Sequence, residues 1–116
     1  MILANKMATA LELLGRIQTG YEYLPVWLKA GCTVFNKSEL SFANMSSIRA
    51  FASSSDAARG FSCNCIICDE FAFLQRNIAD KLFTSMYPTI SSSKNGKFII
   101  VSTPNGTDNL YYDIWS

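Results

Sequence analysis

The stretch Cys63-Asn64-Cys65-Ile66-Ile67-Cys68 is almost continuously apolar and stops at two acids, Asp69-Glu70. A short apolar run without polar alternation predicts a central parallel strand with both faces covered by helices. A second run, Lys97-Phe98-Ile99-Ile100-Val101, predicts another buried strand, ending at Ser102. Between the two, Ile78, Leu82 and Met86 fall on one face of a helix expected over 78–87, which Pro88 should close. Strand, crossover helix and strand at this spacing argue for an α/β architecture around a mainly parallel sheet.

The rest of the chain fits the same class. Residues 1–4 are apolar and lead into an amphipathic helix in which Met7, Leu11, Leu14 and Tyr21 recur near helical spacing, widened by Ala10, Leu13 and Ile17. Asn5 is the expected N-cap and Gly20 the expected stop. A second short helix is expected over 21–28, with Pro25 near its first turn. Short runs at 33–35, 40–42 and 48–51, separated by Asn, Ser and Lys, predict hairpin-like strands. Residues 53–60 are small and polar and are expected to form a loop, and 109–115 should begin a last helix.

Length and composition narrow the function. A chain of 116 residues is one domain or part of one, and 49% hydrophobic residues supply a core while arguing against disorder. The net charge of +1 excludes binding of nucleic acid by bulk electrostatics, so any DNA contact must be local. Nothing at the start has the layout of an export signal, and no apolar run approaches the ~18 residues needed to span a bilayer, so a cytoplasmic protein with reduced cysteines and no membrane role is expected.

The two strand ends carry the chemistry. Four apolar residues followed by Asp69-Glu70 resemble the Walker B pattern of P-loop NTPases. Such a strand delivers two carboxylates to the C-terminal edge of an open α/β sheet, where ligands bind. In that resemblance Asp69 holds Mg²⁺ through water, and Glu70 orients and polarises the water that attacks the γ-phosphate of ATP. Ser102-Thr103 followed by Pro104-Asn105-Gly106 resembles the coupling motif of terminases and helicases, in which hydroxyls bond the attacking water or the γ-phosphate and report its loss. A strand that merely ends in a solvated acidic turn, or in an ordinary strand-to-turn exit, would produce either pattern singly.

The order of shorter motifs makes the likeness specific. Asn5-Lys6 with Ala8, Glu12 and Arg16, Tyr21-Glu22, Leu24-Pro25, Trp27-Leu28, Arg59-Gly60, Asp69 through Phe73, Ile90-Ser91-Ser92, Ser102 through Gly106 and Tyr112-Asp113-Ile114-Trp115 resemble the large terminase subunit of tailed bacteriophages. That resemblance implies a P-loop NTPase of the RecA-like kind, with a three-layer fold. Its activity would be ATP hydrolysis driving double-stranded DNA into a procapsid, in the cytoplasm of an infected bacterium. It implies a homo-oligomeric ring, with portal protein and the small terminase subunit as partners. Asn5 and Lys6 then stand where related helicases place a strand-end motif near nucleic acid or the nucleotide, and Arg59 is a candidate for stabilising charge on the transferred phosphoryl group. An N-cap with a solvated lysine, and a surface arginine, are the competing structural roles.

Other clusters read as structure. Cys63 and Cys65 are expected on one face of the strand and Cys68 on the other, and without any histidine a tetrahedral zinc site is not expected. Tyr21, Tyr23 and Trp27 are expected in a core or an interface in preference to a base-stacking platform. The chain also has no Gly-x4-Gly-Lys-Ser/Thr sequence, the backbone nest for phosphates, and Gly96-Lys97 is followed by Phe98. It therefore resembles the middle of an ATPase domain, residues 1–116 running from beyond the P-loop through the coupling motif, and the chain alone is expected to be inactive. A helicase-like ATPase remains an alternative, although Asp69-Glu70-Phe71-Ala72 lacks the second acid of the DEAD pattern. A non-catalytic remnant acting as an interaction module is the alternative from another class.

Overall fold

The structure, a computed structural model, describes residues 1–53, 63–91 and 94–116. Among the described residues six strands form one sheet in the order β2-β3-β4-β1-β5-β6. These are β1 (Ile2–Ala4), β2 (Cys32–Phe35), β3 (Glu39–Phe42), β4 (Ser47–Ala52), β5 (Cys65–Asp69) and β6 (Lys97–Val101). β4, β1, β5 and β6 run parallel, while β2, β3 and β4 form an antiparallel meander. Asparagines set both hairpin turns: Asn36 Oδ1 accepts the amides of Ser38 and Glu39 at 3.0 and 2.9 Å, and Asn44 Oδ1 accepts that of Ser46 at 3.1 Å.

Helices lie on both faces of the sheet. On one face α1 (Met7–Glu22) packs Ala10 and Leu14 against Ile2, Ala4, Leu40 and Ala50. On the other, α2 (Arg76–Ser91) packs Ala79, Leu82, Met86 and Ile90 against Met1, Leu3, Ile66 and Cys68. Burying each large aliphatic side chain in these clusters contributes about 1.5–3 kcal/mol, which holds three layers together around a narrow sheet. A last helix, α3 (Leu110–Trp115), lies beside the turn that follows β5. The α/β class and the mostly parallel sheet agree with the expectation from the sequence.

Several local expectations are corrected. Lys6, not Asn5, is the N-cap of α1, and it adds no side-chain cap because an ammonium cannot accept an amide proton. The helix runs through Gly20 to Glu22, so Gly20 is not its stop. Its buried residues are Ala10, Leu14 and Gln18, spaced by four, whereas Met7 and Ile17 are substantially exposed. That stripe, with Leu11 and Leu13 partly buried beside it, is what meets the β1–β4 side of the sheet. Gln18 is buried because its Nε2 donates to the Asn36 carbonyl at 2.6 Å, tying α1 to the hairpin. The second helix reduces to a 3-10 turn, Val26–Leu28, with Pro25 as its N-cap. α2 passes through Pro88 to Ser91: burial of Ile90 in the core pulls the last turn on despite the lost amide.

The apolar run 1–4 hides the most buried strand. β1 sits between β4 and β5 with Ile2, Leu3 and Ala4 all buried. β6, expected to be buried, is the edge strand among the described residues: Phe98 and Ile100 pack on the α2 side, while Ile99 and Val101 remain 42% and 51% exposed. β5 is likewise covered fully on the α2 face alone, since α1 lies over β1 and β4.

Candidate functional site

Parallel neighbours in register bring their chain ends to one edge. Cys68 pairs with Leu3 and with Ile100, and Asp69 with Val101, so the residues just beyond these strands emerge side by side. Asp69-Glu70 therefore lies between Asn5-Lys6, after β1, and Ser102-Thr103, after β6. Ser53, after β4, completes the row and is buried, its hydroxyl donating to the Ala4 carbonyl at 3.0 Å. Six of the seven site residues expected from the sequence share this edge. The seventh, Arg59, lies outside the described residues, as do most of the expected loop 53–60 and Gly60.

The turn after β5 is shaped by Glu70, whose φ of 54° and ψ of 39° put a non-glycine residue in the left-handed region. That conformation costs on the order of 1 kcal/mol and recurs where a side chain is being aimed. Its amide donates to Asp69 Oδ1 at 3.0 Å, which orients the first carboxylate and leaves the second oxygen for other partners. A 3-10 turn, Phe71–Phe73, follows and is anchored by Phe71, which is 1% exposed in the α2-side core.

The loop after β6 grips this turn. Ser102 Oγ accepts the Ala72 amide at 3.1 Å and donates to the Thr103 carbonyl at 2.8 Å, while Asn105 Nδ2 donates to the Ala72 carbonyl at 3.1 Å. Asn109, 4% exposed, donates from Nδ2 to the Asn105 carbonyl at 2.7 Å and caps α3 by accepting the Tyr112 amide at 2.8 Å. Arg76 and Asp113 bridge α2 to α3 at 2.5 Å, and that hydrogen bond pushes the guanidinium further above its ordinary range. Thr103 is exposed, so its hydroxyl is open to solvent.

Neither Asn105 nor Asn109 was legible as a site residue. The Asn preceding Leu110-Tyr111-Tyr112 could have been found as a cap, since Asn is a favoured N-cap residue. The grip on Ala72 leaves no local signal, because its partners are about thirty residues apart.

The cysteines need one correction. β5 begins at Cys65, and Cys63, before it, packs against the same core as Cys68 instead of joining Cys65 on the opposite face. Strict alternation does not extend past the bend at Asn64. Desolvation pushes the Cys68 thiol up to about 12 and raises that of Cys63, so both are neutral thiols packed as small apolar groups.

An α/β sheet with paired carboxylates and paired hydroxyls at the C-terminal edge of neighbouring parallel strands defines a ligand-site class common to open α/β proteins. The particular family follows from comparison with known families: residues 19–116 match terminase large subunit, T4likevirus-type, N-terminal. The match spans most of the chain, which therefore belongs to the terminase large-subunit family of viral DNA packaging. Among the described residues no helix is long and apolar enough to cross a membrane.

Proposed function

We propose that this sheet edge is the hydrolytic edge of an ATP-driven DNA-packaging motor of the P-loop NTPase class. The observation that carries the proposal is the β5–β6 register, which sets Asp69-Glu70 beside Ser102-Thr103. Glu70, lifted from the strand by its left-handed backbone, is the general base that orients the attacking water. Asp69 is the ligand for Mg²⁺, which fits a site with one oriented carboxylate completed by water and phosphate oxygens, and the ion would neutralise charge on the phosphates. Thr103 presents the open hydroxyl to the γ-phosphate side. Lys6 and Asn5 border the site across β5, and Arg59 is the candidate cation for the transferred group.

The exposed outer face of β6 supports this reading. β6 ends the strand order and is open to pairing by a further strand, and a phosphate-binding strand from another segment would pair there while the helix that follows its loop covers Ile99 and Val101, supplying the phosphate cradle that residues 1–116 do not encode. Double-stranded DNA, portal protein and the small terminase subunit are the partners proposed for the complete motor, which works as a homo-oligomeric ring in the host cytoplasm. The same exposed edge would serve the second reading, a non-catalytic interaction module.

Substituting Glu70→Gln in a polypeptide that joins this chain to a phosphate-binding loop tests the proposal. ATP hydrolysis should disappear while binding of a fluorescent ATP analogue is retained, because the change removes a base and not a phosphate contact. Equal loss of binding would make Glu70 structural, and wild-type turnover would refute the assignment.

A further inference from the structure

We infer that Asn105 and Ser102 are positioning residues that set the aim of Glu70 by clamping the backbone of Ala72 from both sides. The inference rests on the hydrolytic role proposed above for Glu70. Ala72 lies two residues beyond Glu70, and both of its peptide groups that face β6 are taken by the same loop: Ser102 Oγ accepts its amide at 3.1 Å and Asn105 Nδ2 donates to its carbonyl at 3.1 Å. Phe71, fixed in the core, and the Phe73 amide, which donates to the Glu70 carbonyl at 3.1 Å, leave this three-residue turn little freedom of its own. The left-handed backbone at Glu70 is unfavourable for an isolated non-glycine residue and persists only where its surroundings fix it. The clamp is the element that fixes it from the β6 side.

This assignment separates the two neighbouring hydroxyls. The Ser102 hydroxyl is engaged both as acceptor, from Ala72, and as donor, to the Thr103 carbonyl, so it acts on protein backbone. Thr103 is exposed and is the hydroxyl that remains for a phosphate or a water. The Asn105 carbonyl is itself held by Asn109 Nδ2 at 2.7 Å, so movement of α3 reaches the clamp through one side chain. A change at the β6 loop is thereby a change in where Glu70 points.

Two measurements test this. In the 116-residue chain, amide exchange followed by nuclear magnetic resonance should show Ala72 protected in the parent and in Ser102→Thr, which keeps the acceptor. Protection should fall at least ~10-fold in Ser102→Ala, where a free-energy loss near that of one hydrogen bond is expected. Equal Ala72 exchange in Ser102→Ala and the parent overturns the clamp and leaves the ATPase reading untouched. In the polypeptide with a phosphate-binding loop, Asn105→Ala and the isosteric Asn105→Asp should lower kcat by up to about 10²-fold with KM and analogue affinity unchanged, as expected when a reacting group is misplaced by roughly 1 Å. Wild-type kcat in both Asn105 variants, with Glu70→Gln inactive, refutes the positioning role alone. An active Glu70→Gln variant removes the ATPase reading and this inference with it.

Discussion

Replacing Gly96 by alanine should unfold the chain more easily, although the same replacement at Gly20 should strengthen it. A Cβ built at Gly96 would stand 2.2 Å from the Ile90 carbonyl oxygen, 2.9 Å from Ile90 Cγ2 and 3.0 Å from the Ile90 carbonyl carbon. Relief requires roughly 1 Å of relative movement, and the obstacle is backbone anchored by a side chain only 4% exposed. Overpacking of this kind costs about 1–3 kcal/mol, offset by about 0.4–1 kcal/mol from the stiffer unfolded chain. The net loss is about 1–2 kcal/mol, and at roughly 4 °C per kcal/mol for a chain of this size Tm should drop by about 4–8 °C. Gly20 lies inside α1 with no atom within 4 Å of its added Cβ, so Gly20→Ala should add about 0.5–1 kcal/mol. Urea unfolding of both variants, with the denaturant slope checked for constancy, measures the pair. A Gly96→Ala chain as stable as the parent would mean that α2 does not enter β6 by this tight approach. The placement of Phe98, Ile100 and Ser102 would then need another basis.

At pH 8 iodoacetamide should label exposed Cys32 readily in the folded chain and Cys68 only after unfolding, as mass spectrometry of peptides would report; equal labelling would contradict the buried strand. Because burial raises the Cys68 thiol from 9.0 to about 12, the unfolded chain releases that proton first as pH rises, so its contribution to stability is intact below pH 9 and erodes between about 9 and 12. The slope attributable to this group is at most about 1.4 kcal/mol per pH unit, and it should vanish in Cys68→Ala. Asn109→Ala should cost roughly 1–2 kcal/mol in thermal unfolding, for the lost cap of α3 together with the bond to Asn105. Asn109→Asp, which keeps the acceptor to Tyr112 and loses the donor to Asn105, should recover about half; no recovery would show that the cap is not the main contribution.

What the residues disclosed in advance was what local pattern can encode. The β5 run with its acids, the β6 run with its hydroxyls and the helix between them were legible because burial and period act over adjacent residues. β1 was not, since three apolar residues suit a strand or a helix lead equally, and only pairing with β4 and β5 decides between them. Pro88 was misread as a terminator because the missing amide is a local loss, whereas burial of Ile90 is a tertiary gain. Strand neighbourhood was inferable from spacing, but that β6 would have one bare face depends on where α1 sits, and nothing in β6 itself records that.

Burial parity also explains why the two polar pairs do different jobs. Along β5, Ile66 and Cys68 face α2, so Asp69 takes the opposite parity with Cys65 and Ile67. Along β6, Phe98 and Ile100 face α2, and Ser102 continues that parity, toward the side where Phe71 is buried and Ala72 waits to be bonded. A one-residue slip of β6 against its core would exchange the parities of Ser102 and Thr103, offering the clamp hydroxyl to solvent and the open one to the backbone. The apolar residues of β6 therefore select which hydroxyl holds the turn and which stays open at the sheet edge. Packing of Phe98 and Ile100 is in this sense part of the site.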